Sequence, residues 1–389
     1  MVDKVPLFIT RHSLSPRSAI GVQTRRLLEP HADWLHFHWW TAELRAEDAR
    51  SILLESWLIS RYSAFKRGGP LSGWVRRLQL SHWRDNRLHP RFEQRLVDTY
   101  ADRVSCIYVA PLDREDASRC RSLLALFDVP FVLHIWDFLD GGLEFEEHRW
   151  LATHAAKVYC LAAPTLDQMS IERPDASELL FSRAPSASKS RAPTGKHLNV
   201  SLIGDIGSYV AGLQLLDAAI AILGAKGVTV EVQYVGSKRS FARAASQLQF
   251  RGKVLGFLPS AADRDAAMAR CHVGFLPGPL ADPDENLRSR YSIPSRTLDY
   301  LAVGLPIVGC VHPRSATGLF LNRRGIDVGP FNDSPGSLAT MLESLLDEKF
   351  WAHQSDRSLR AFSMIDDPPP AQKLMRQMMD LPVRRPDHG

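Results

Sequence analysis

The chain has 389 residues, 45% of them apolar and 23% charged, with a formal net charge of +5. That length exceeds one ordinary core and suits two domains of roughly 180–190 residues each. The composition is that of a folded globular protein, and no apolar run approaches the roughly 18 residues a membrane span needs.

The start of the chain lacks the long apolar centre of a signal peptide and reads as a first strand. Predicted strands then follow in chain order at Leu7–Thr10, Trp34–His38, Cys106–Ala110, Phe131–Ile135 and Val158–Leu161. A second series covers Asn199–Ile203, Val228–Val235, Val254–Phe257, His272–Leu276 and Pro306–Cys310. Many are continuous apolar runs, as expected for parallel strands covered on both faces. Helical patterns lie among them at Leu213–Leu223, Ala262–Ala269 and Leu338–Leu346, so the fold class is α/β with doubly wound sheets. Between the two series, residues 182–196 are rich in Ser, Pro and basic side chains and have no apolar period. The expected division is a first domain over 1–185, a linker over 186–197, a second domain over 198–365, and a terminal segment over 366–389 with a helix at Ala371–Met379.

Two further features bear on partners. Cys106, Cys120, Cys160, Cys271 and Cys310 form no C-x-x-C pair and suggest neither a zinc site nor a disulfide framework. They read as buried small side chains in a reducing cytoplasm. Residues 61–95 carry Arg61, Lys66, Arg67, Arg76, Arg77, Arg84, Arg87, Arg91 and Arg95, opposed only by Asp85 and Glu93, with Trp74 and Trp83 interleaved. Such a stretch is either a solvated basic face or a surface for an anionic membrane. No nucleic-acid motif accompanies it, so nucleic acid is not an expected partner.

The most informative run is Ser292-Ile293-Pro294-Ser295-Arg296-Thr297-Leu298-Asp299-Tyr300-Leu301-Ala302-Val303-Gly304-Leu305-Pro306-Ile307-Val308. It reads as a loop, a short amphipathic helix stopped by Gly304 and Pro306, and a buried strand. It resembles the donor-site segment of GT-B glycosyltransferases, especially the retaining family 4 group, in which "Pro-Ser-Lys … Glu-Tyr-x-Ala-x-Gly-x-Pro-Val-Val" is common. The resemblance covers about 199–362 well and the first domain loosely. It implies two facing Rossmann-like domains with a cleft between them. The first would bind the acceptor and the second a nucleotide-sugar donor, and the terminal helix would pack back on the first domain. The implied activity is transfer of a sugar from a nucleotide diphosphate sugar to an acceptor hydroxyl, retaining and metal-independent, with no cofactor and no metal ligands.

Site residues follow from the resemblance. Gly204 and Gly207 lie in a strand-to-helix turn that lets a backbone approach phosphate. Lys238 and Arg239 follow the next strand, where they stand in for phosphate cations missing from that turn. Gly256, Phe257 and Leu258 match the segment that meets the nucleotide base. Arg290 and Ser295 flank the donor helix, and Arg296 takes the position of the family's lysine. Asp299 matches the acid that accepts from ribose hydroxyls. The chain departs from the family at Ala211, where a lysine is usual, at Tyr291, where the sugar-contacting acid is usual, and at His272, read as structural. In the first domain, Arg11, His12, Ser13 and Ser15 are candidate acceptor contacts. Asp137 and His134, at the tip of the Phe131–Ile135 strand, are candidate catalytic groups, Asp137 as a base for the acceptor hydroxyl.

The expected function is a cytoplasmic glycosyltransferase of cell-surface polysaccharide or glycoconjugate synthesis, with a glycan or lipid-linked acceptor and a peripheral position at the inner membrane face. The departures leave open a non-catalytic domain that binds nucleotide sugar or glycan. A sugar-nucleotide epimerase is the third reading.

Overall fold

The computed structural model describes residues 4–10, 19–28, 34–38, 41–44, 94, 97–137, 142–207, 209–250, 252–258, 260–278, 282–326, 334–365 and 370–381. The chain divides into two compact units, one of Met1–Cys160, Leu166–Leu179 and Ala371–Gly389, the other of Leu161–Thr165 and Leu180–Pro370.

The first unit carries β1 (Val5–Thr10), α1 (Ala19–Leu28), β2 (Leu35–His38), β3 (Thr41–Leu44), β4 (Val104–Ala110), α2 (Arg114–Leu124), β5 (Phe131–Ile135), α3 (Glu146–His154) and β6 (Lys157–Cys160). Next come α4 (Ala163–Met169), at the junction of the two units, and β7 (Ser177–Glu178). The seven strands run in the order β3-β2-β1-β4-β5-β6-β7. All pairs are parallel except β2 with β3. Every side chain of β5 is buried, as expected of a central strand covered on both faces.

The second unit holds β8 (His197–Ile203), α5 (Val210–Ala225), β9 (Thr229–Val235), α6 (Lys238–Ala245), β10 (Gly252–Gly256), α7 (Ala261–Ala269) and β11 (Val273–Leu276). It continues with α8 (Leu287–Tyr291), α9 (Arg296–Ala302), β12 (Ile307–Gly309), α10 (Ala316–Arg323), α11 (Pro335–Ser344) and α12 (Glu348–Ser363). Its five strands are all parallel, in the order β10-β9-β8-β11-β12. The core forms where Leu213, Leu216, Ala219 and Leu223 of α5 share a buried cluster with Leu198, Val200 and Leu202 of β8 and with Leu338 and Leu342 of α11. The last helix, α13 (Pro370–Met379), is grouped from Ala371 onward with the first unit, where Lys373 Nζ donates to the Glu178 carbonyl at 3.3 Å.

Helix ends follow local chemistry. Ser237, Ser260, Ser315, Ser334 and Asp347 each cap a helix by accepting a backbone N–H with the side chain. Each predicted strand is present, Phe131–Ile135 with the expected bounds and the others with shifted ends. Gly256, at φ +75°, turns the chain out of the sheet, so β10 stops before Phe257. The short edge strands β3 and β7 were not anticipated, nor was the 16-residue helix α12. The stretch expected as a linker is bound along the second unit. Ser190 N donates to Val303 O at 3.0 Å, Ser190 Oγ to Gly304 O at 2.7 Å, and Lys189 Nζ to Ala302 O at 3.3 Å.

All five cysteines are free and buried. Burial pushes the Cys106 thiol up to about 11 and those of Cys160, Cys271 and Cys310 to about 12, so these four stay protonated at neutral pH. No described helix is long and apolar enough to cross a membrane. The basic stretch 61–95 lies outside the described residues, apart from Gln94.

One contact fixes the donor-motif helix to its sheet. Tyr300 of α9 is fully buried and donates to Ser201 O of β8 at 2.9 Å. Its ring lies flat on Gly274 of β11, where an added Cβ would sit 2.5 Å from Tyr300 Cγ. At the far end of α9, Leu305 N bonds Tyr300 O and Gly304 N bonds Leu301 O, both at 3.0 Å, the two reverse bonds of a Schellman stop. Gly304 takes the left-handed position at φ +70°. Gly274→Ala is therefore expected to destabilise the second unit by about 1–3 kcal/mol, the cost of overpacking a filled interior. Urea unfolding checks this; an unchanged midpoint would mean that Tyr300 does not need the open glycine.

Candidate functional site

The strand order of the second sheet reverses between β8 and β11. In open parallel sheets, ligands bind outside the carboxyl ends of the strands at such a point. Here those ends surround a recess lined by Tyr209 after β8, Pro277 and Gly278 after β11, Val311 and His312 after β12, and Arg288, Ser289, Ser292, Pro294 and Arg296 from α8 to α9. Among the described residues that line it there is no aspartate or glutamate.

Arg296 is the central cation. It opens α9 and is only 9% exposed. Its Nη2 donates to the Asp205 carbonyl at 2.8 Å, and its guanidinium lies 5.1 Å from the Tyr209 ring centroid. Nη1 is buried and has no hydrogen-bond partner among the described residues, and the same holds for Ser289 Oγ. Buried donors left unpaired cost about 1–3 kcal/mol each, more when charged. Both residues line the recess.

The other expected donor residues occupy the same end of the sheet. Gly204, at φ +87°, ends β8, and Gly207 follows in the same loop. Lys238 and Arg239 are exposed in the first turn of α6, two cations beside a positive helix end. An added Cβ on Gly256 would lie 3.9 Å from Lys238 Cε, so these two loops adjoin. Phe257 presents an exposed ring, and the Leu258 carbonyl accepts from Arg264 at 3.0 Å. Arg290 is exposed and lies over the Tyr291 ring at 5.3 Å. Ser295 precedes α9 without capping it by its side chain. Tyr291 is buried, and His272 accepts from Asn199 N at 3.0 Å, a structural contact.

Asp299 is held in a contact that the motif did not announce. Its Oδ1 accepts from Arg183 Nε at 2.9 Å, while Arg183 Nη2 bonds Asp265 Oδ1 and Nη1 donates to Ala184 O at 2.8 Å. The Arg183 side chain is 3% exposed and that of Asp299 13%. Burial opposes the Arg183 charge, but Asp299 and Asp265 outweigh it and hold the guanidinium's pKa above its usual value. The carboxylate expected to face ribose thus already anchors a buried cation.

In the first unit, Asp137 follows β5 at the carboxyl end of the sheet and is part-buried. His134 does not fit the expected catalytic role. It is fully buried, and both ring nitrogens are engaged. Trp136 Nε1, which can only donate, reaches His134 Nδ1 at 3.0 Å, so the proton sits on Nε2 and is donated to Leu179 O at 2.9 Å. Tyr108 Oη lies 2.7 Å from Nδ1. Burial drives the ring's pKa from 6.5 down to about 3, against the Leu179 hydrogen bond, which raises it. Arg11, His12, Ser13 and Ser15 lie outside the described residues.

The reading from sequence missed Arg183, Asp265 and Ser289. Arg183 sits in a Ser/Pro-rich stretch and pairs with acids 82 and 116 residues away, a separation with no local signature. Ser289, in the polar run before the motif, was likewise unmarked by any pattern.

Two outcomes follow. Asp299→Ala leaves a buried cation with one partner fewer, so unfolding stability should fall by about 3 kcal/mol. An unchanged urea midpoint would show that the Arg183 pair is not structural. His134 stays neutral when folded, whereas the unfolded chain takes up a proton once pH falls below about 6.5. Stability should therefore drop as pH falls from about 6.5 toward 3, by about 1.4 kcal/mol per pH unit from this group. His134→Gln should remove that contribution; an identical pH slope in the variant would contradict it.

No family model matches the chain, and neither does any curated protein. Solved structures do. One is a trehalose-6-phosphate protein from E. coli bound with UDP-2-fluoro glucose, with a TM-score of 0.59 at 9% identity over 98% of this chain and 100% of that one. Another is an alpha,alpha-trehalose 6-phosphate synthase from Burkholderia multivorans, with a TM-score of 0.59 at 12% identity over 97% of each chain. A third is a trehalose-6-phosphate synthase studied for glycosyltransfer with retention, with a TM-score of 0.60 at 8% identity over 97% of this chain and 100% of that one. At such identities the likeness is one of fold: the chain has the two-sheet α/β architecture of GT-B glycosyltransferases.

Proposed function

We propose that the chain is a glycosyltransferase that moves a sugar from a nucleotide diphosphate sugar to an acceptor hydroxyl. The observation that carries this reading is Arg296, a buried guanidinium with one donor unpaired among the described residues, which lines a recess at the switch point of the second sheet. Guanidinium groups match phosphate oxygens in geometry and charge. A cation preplaced beside the leaving phosphate stabilises the charge that develops as the glycosidic bond breaks. In this reading Arg296, with Arg288 at the rim, does that work without a metal. The exposed Phe257 ring offers a face for the base. Asp137 orients the acceptor hydroxyl and takes its proton.

Retention of configuration is the proposed outcome, supported by the family 4 resemblance and by the fold shared with a retaining trehalose-6-phosphate synthase. The proposed setting is the cytoplasmic membrane face, in polysaccharide or glycoconjugate synthesis, with a glycan or lipid-linked acceptor. Residues 61–95 motivate that setting by their charge and tryptophans.

A second reading, a domain that binds nucleotide sugar without turnover, is favoured by one observation. Tyr291 stands where the resemblance expects a sugar-contacting acid, and it is buried.

Thermal shifts with nucleoside diphosphates and their sugars test the reading, since a ligand that binds the folded state stabilises it more the tighter it binds and the higher its concentration. At least one nucleoside diphosphate should raise the melting temperature, and Arg296→Ala should weaken its binding by about 10- to 100-fold, the worth of one charged hydrogen bond. No response to any nucleotide would refute the reading. Asp137→Ala should lower transfer by about 100-fold or more with donor affinity unchanged. Nucleotide-sugar binding with no transfer to any acceptor would favour the second reading.

A further inference from the structure

The loop after β8 contains its own anion. Asp205 Oδ1 accepts from Gly207 N at 3.0 Å and from Ser240 Oγ at 2.5 Å. Ser240 Oγ accepts in turn from Ile206 N at 3.2 Å and Gly207 N at 3.1 Å. These N–H groups are the donors that a glycine-containing turn before a helix would direct at a phosphate. Here a carboxylate and a hydroxyl of the chain hold them. Burial alone would raise the Asp205 pKa, but Ser240, Gly207, Arg296 and Arg243 together bring it below the usual value, so the group is charged at neutral pH. At Arg296, which is bonded to the same loop, the situation is reversed. Arg296 grips the loop through the Asp205 carbonyl, yet Nη1 has no partner among the described residues, and Ser289 Oγ is in the same condition.

We propose that Asp205 is a specificity-determining residue of the donor site: its carboxylate competes with ligand phosphate for the loop N–H groups, so phosphate is taken at Arg296 and Ser289 and excluded from the glycine turn. The inference deepens the donor reading above and rests on it for the nucleotide, though not for the anion. It has a physical consequence. A diphosphate meets one strong anchor and one fixed negative charge, so its second phosphate adds little to binding. The preference for one phosphate position over two is set by a single residue on the loop.

The test uses the full chain and inorganic pyrophosphate, followed by calorimetric titration. Asp205→Asn keeps an oxygen that can accept from Gly207 N and removes the charge. Asp356→Asn, an exposed position on α12, makes the same change in net charge and serves as the control. Asp205→Asn should bind pyrophosphate about tenfold more tightly than both the native chain and the control. The gain should shrink as salt rises, because the group is exposed and screened. Equal or weaker binding by Asp205→Asn, equal tightening in the control, or no measurable binding by any of the three would overturn the proposal. The two readings fail separately. Tighter pyrophosphate binding in a protein that binds no nucleotide sugar would remove the glycosyltransferase reading and leave the role of Asp205 intact. Nucleotide-sugar transfer with pyrophosphate affinity indifferent to Asp205→Asn would do the reverse.

Discussion

The Arg296 guanidinium donates from one nitrogen to the Asp205 carbonyl and keeps another, buried and unpaired among the described residues, in a side chain that lines the recess. The site around it depends on that division of labour. The bond to Asp205 ties the start of α9 to the loop after β8, two segments 91 residues apart. In the proposed function the unpaired nitrogen is the group that meets a phosphate oxygen. A lysine in this place would offer a point charge without the fixed fork that serves both directions at once. The position is preorganised because α9 is itself clamped, with Tyr300 bonded to the sheet beneath it and Gly304 ending it in a left-handed turn.

The same helix is also held by Arg183. Two carboxylates, Asp299 and Asp265, converge on that one cation, and the Ser/Pro-rich segment that carries it continues along α9 through Ser190 and Lys189. A buried charge persists only when its partners are well placed, so this arrangement fixes the segment's path more firmly than an apolar contact would. Asp299 therefore has a structural task whatever it does toward a ligand. Asp205 gives the loop a similar economy: its main chain binds Arg296, and its side chain closes the turn.

Much of the fold was legible because parallel strands buried on both faces leave continuous apolar runs, as at Cys106–Ala110 and Val158–Leu161. The strands that escaped notice, Thr41–Leu44 and Ser177–Glu178, are short edges with no such run. The donor motif located α9 and singled out Arg296 because spacing along one short helix is a local property. The partners of Asp299 and of His134 were not legible. Arg183 meets Asp299 across 116 residues, and Tyr108 meets His134 across 26. Those contacts depend on how separate elements stack, and no periodicity in the chain encodes them. Asp205 lies in the turn from which the expected phosphate cations are missing. Only geometry revealed that its carboxylate fills the turn.

The most direct measurement is a crystal structure of the protein with a nucleoside diphosphate bound. The account predicts a phosphate oxygen within about 3 Å of Arg296 Nη1, the distance of a charged hydrogen bond. It also predicts that Asp205 is still bonded to Gly207. A nucleotide seated away from the recess, with Arg296 Nη1 unmet, would contradict it.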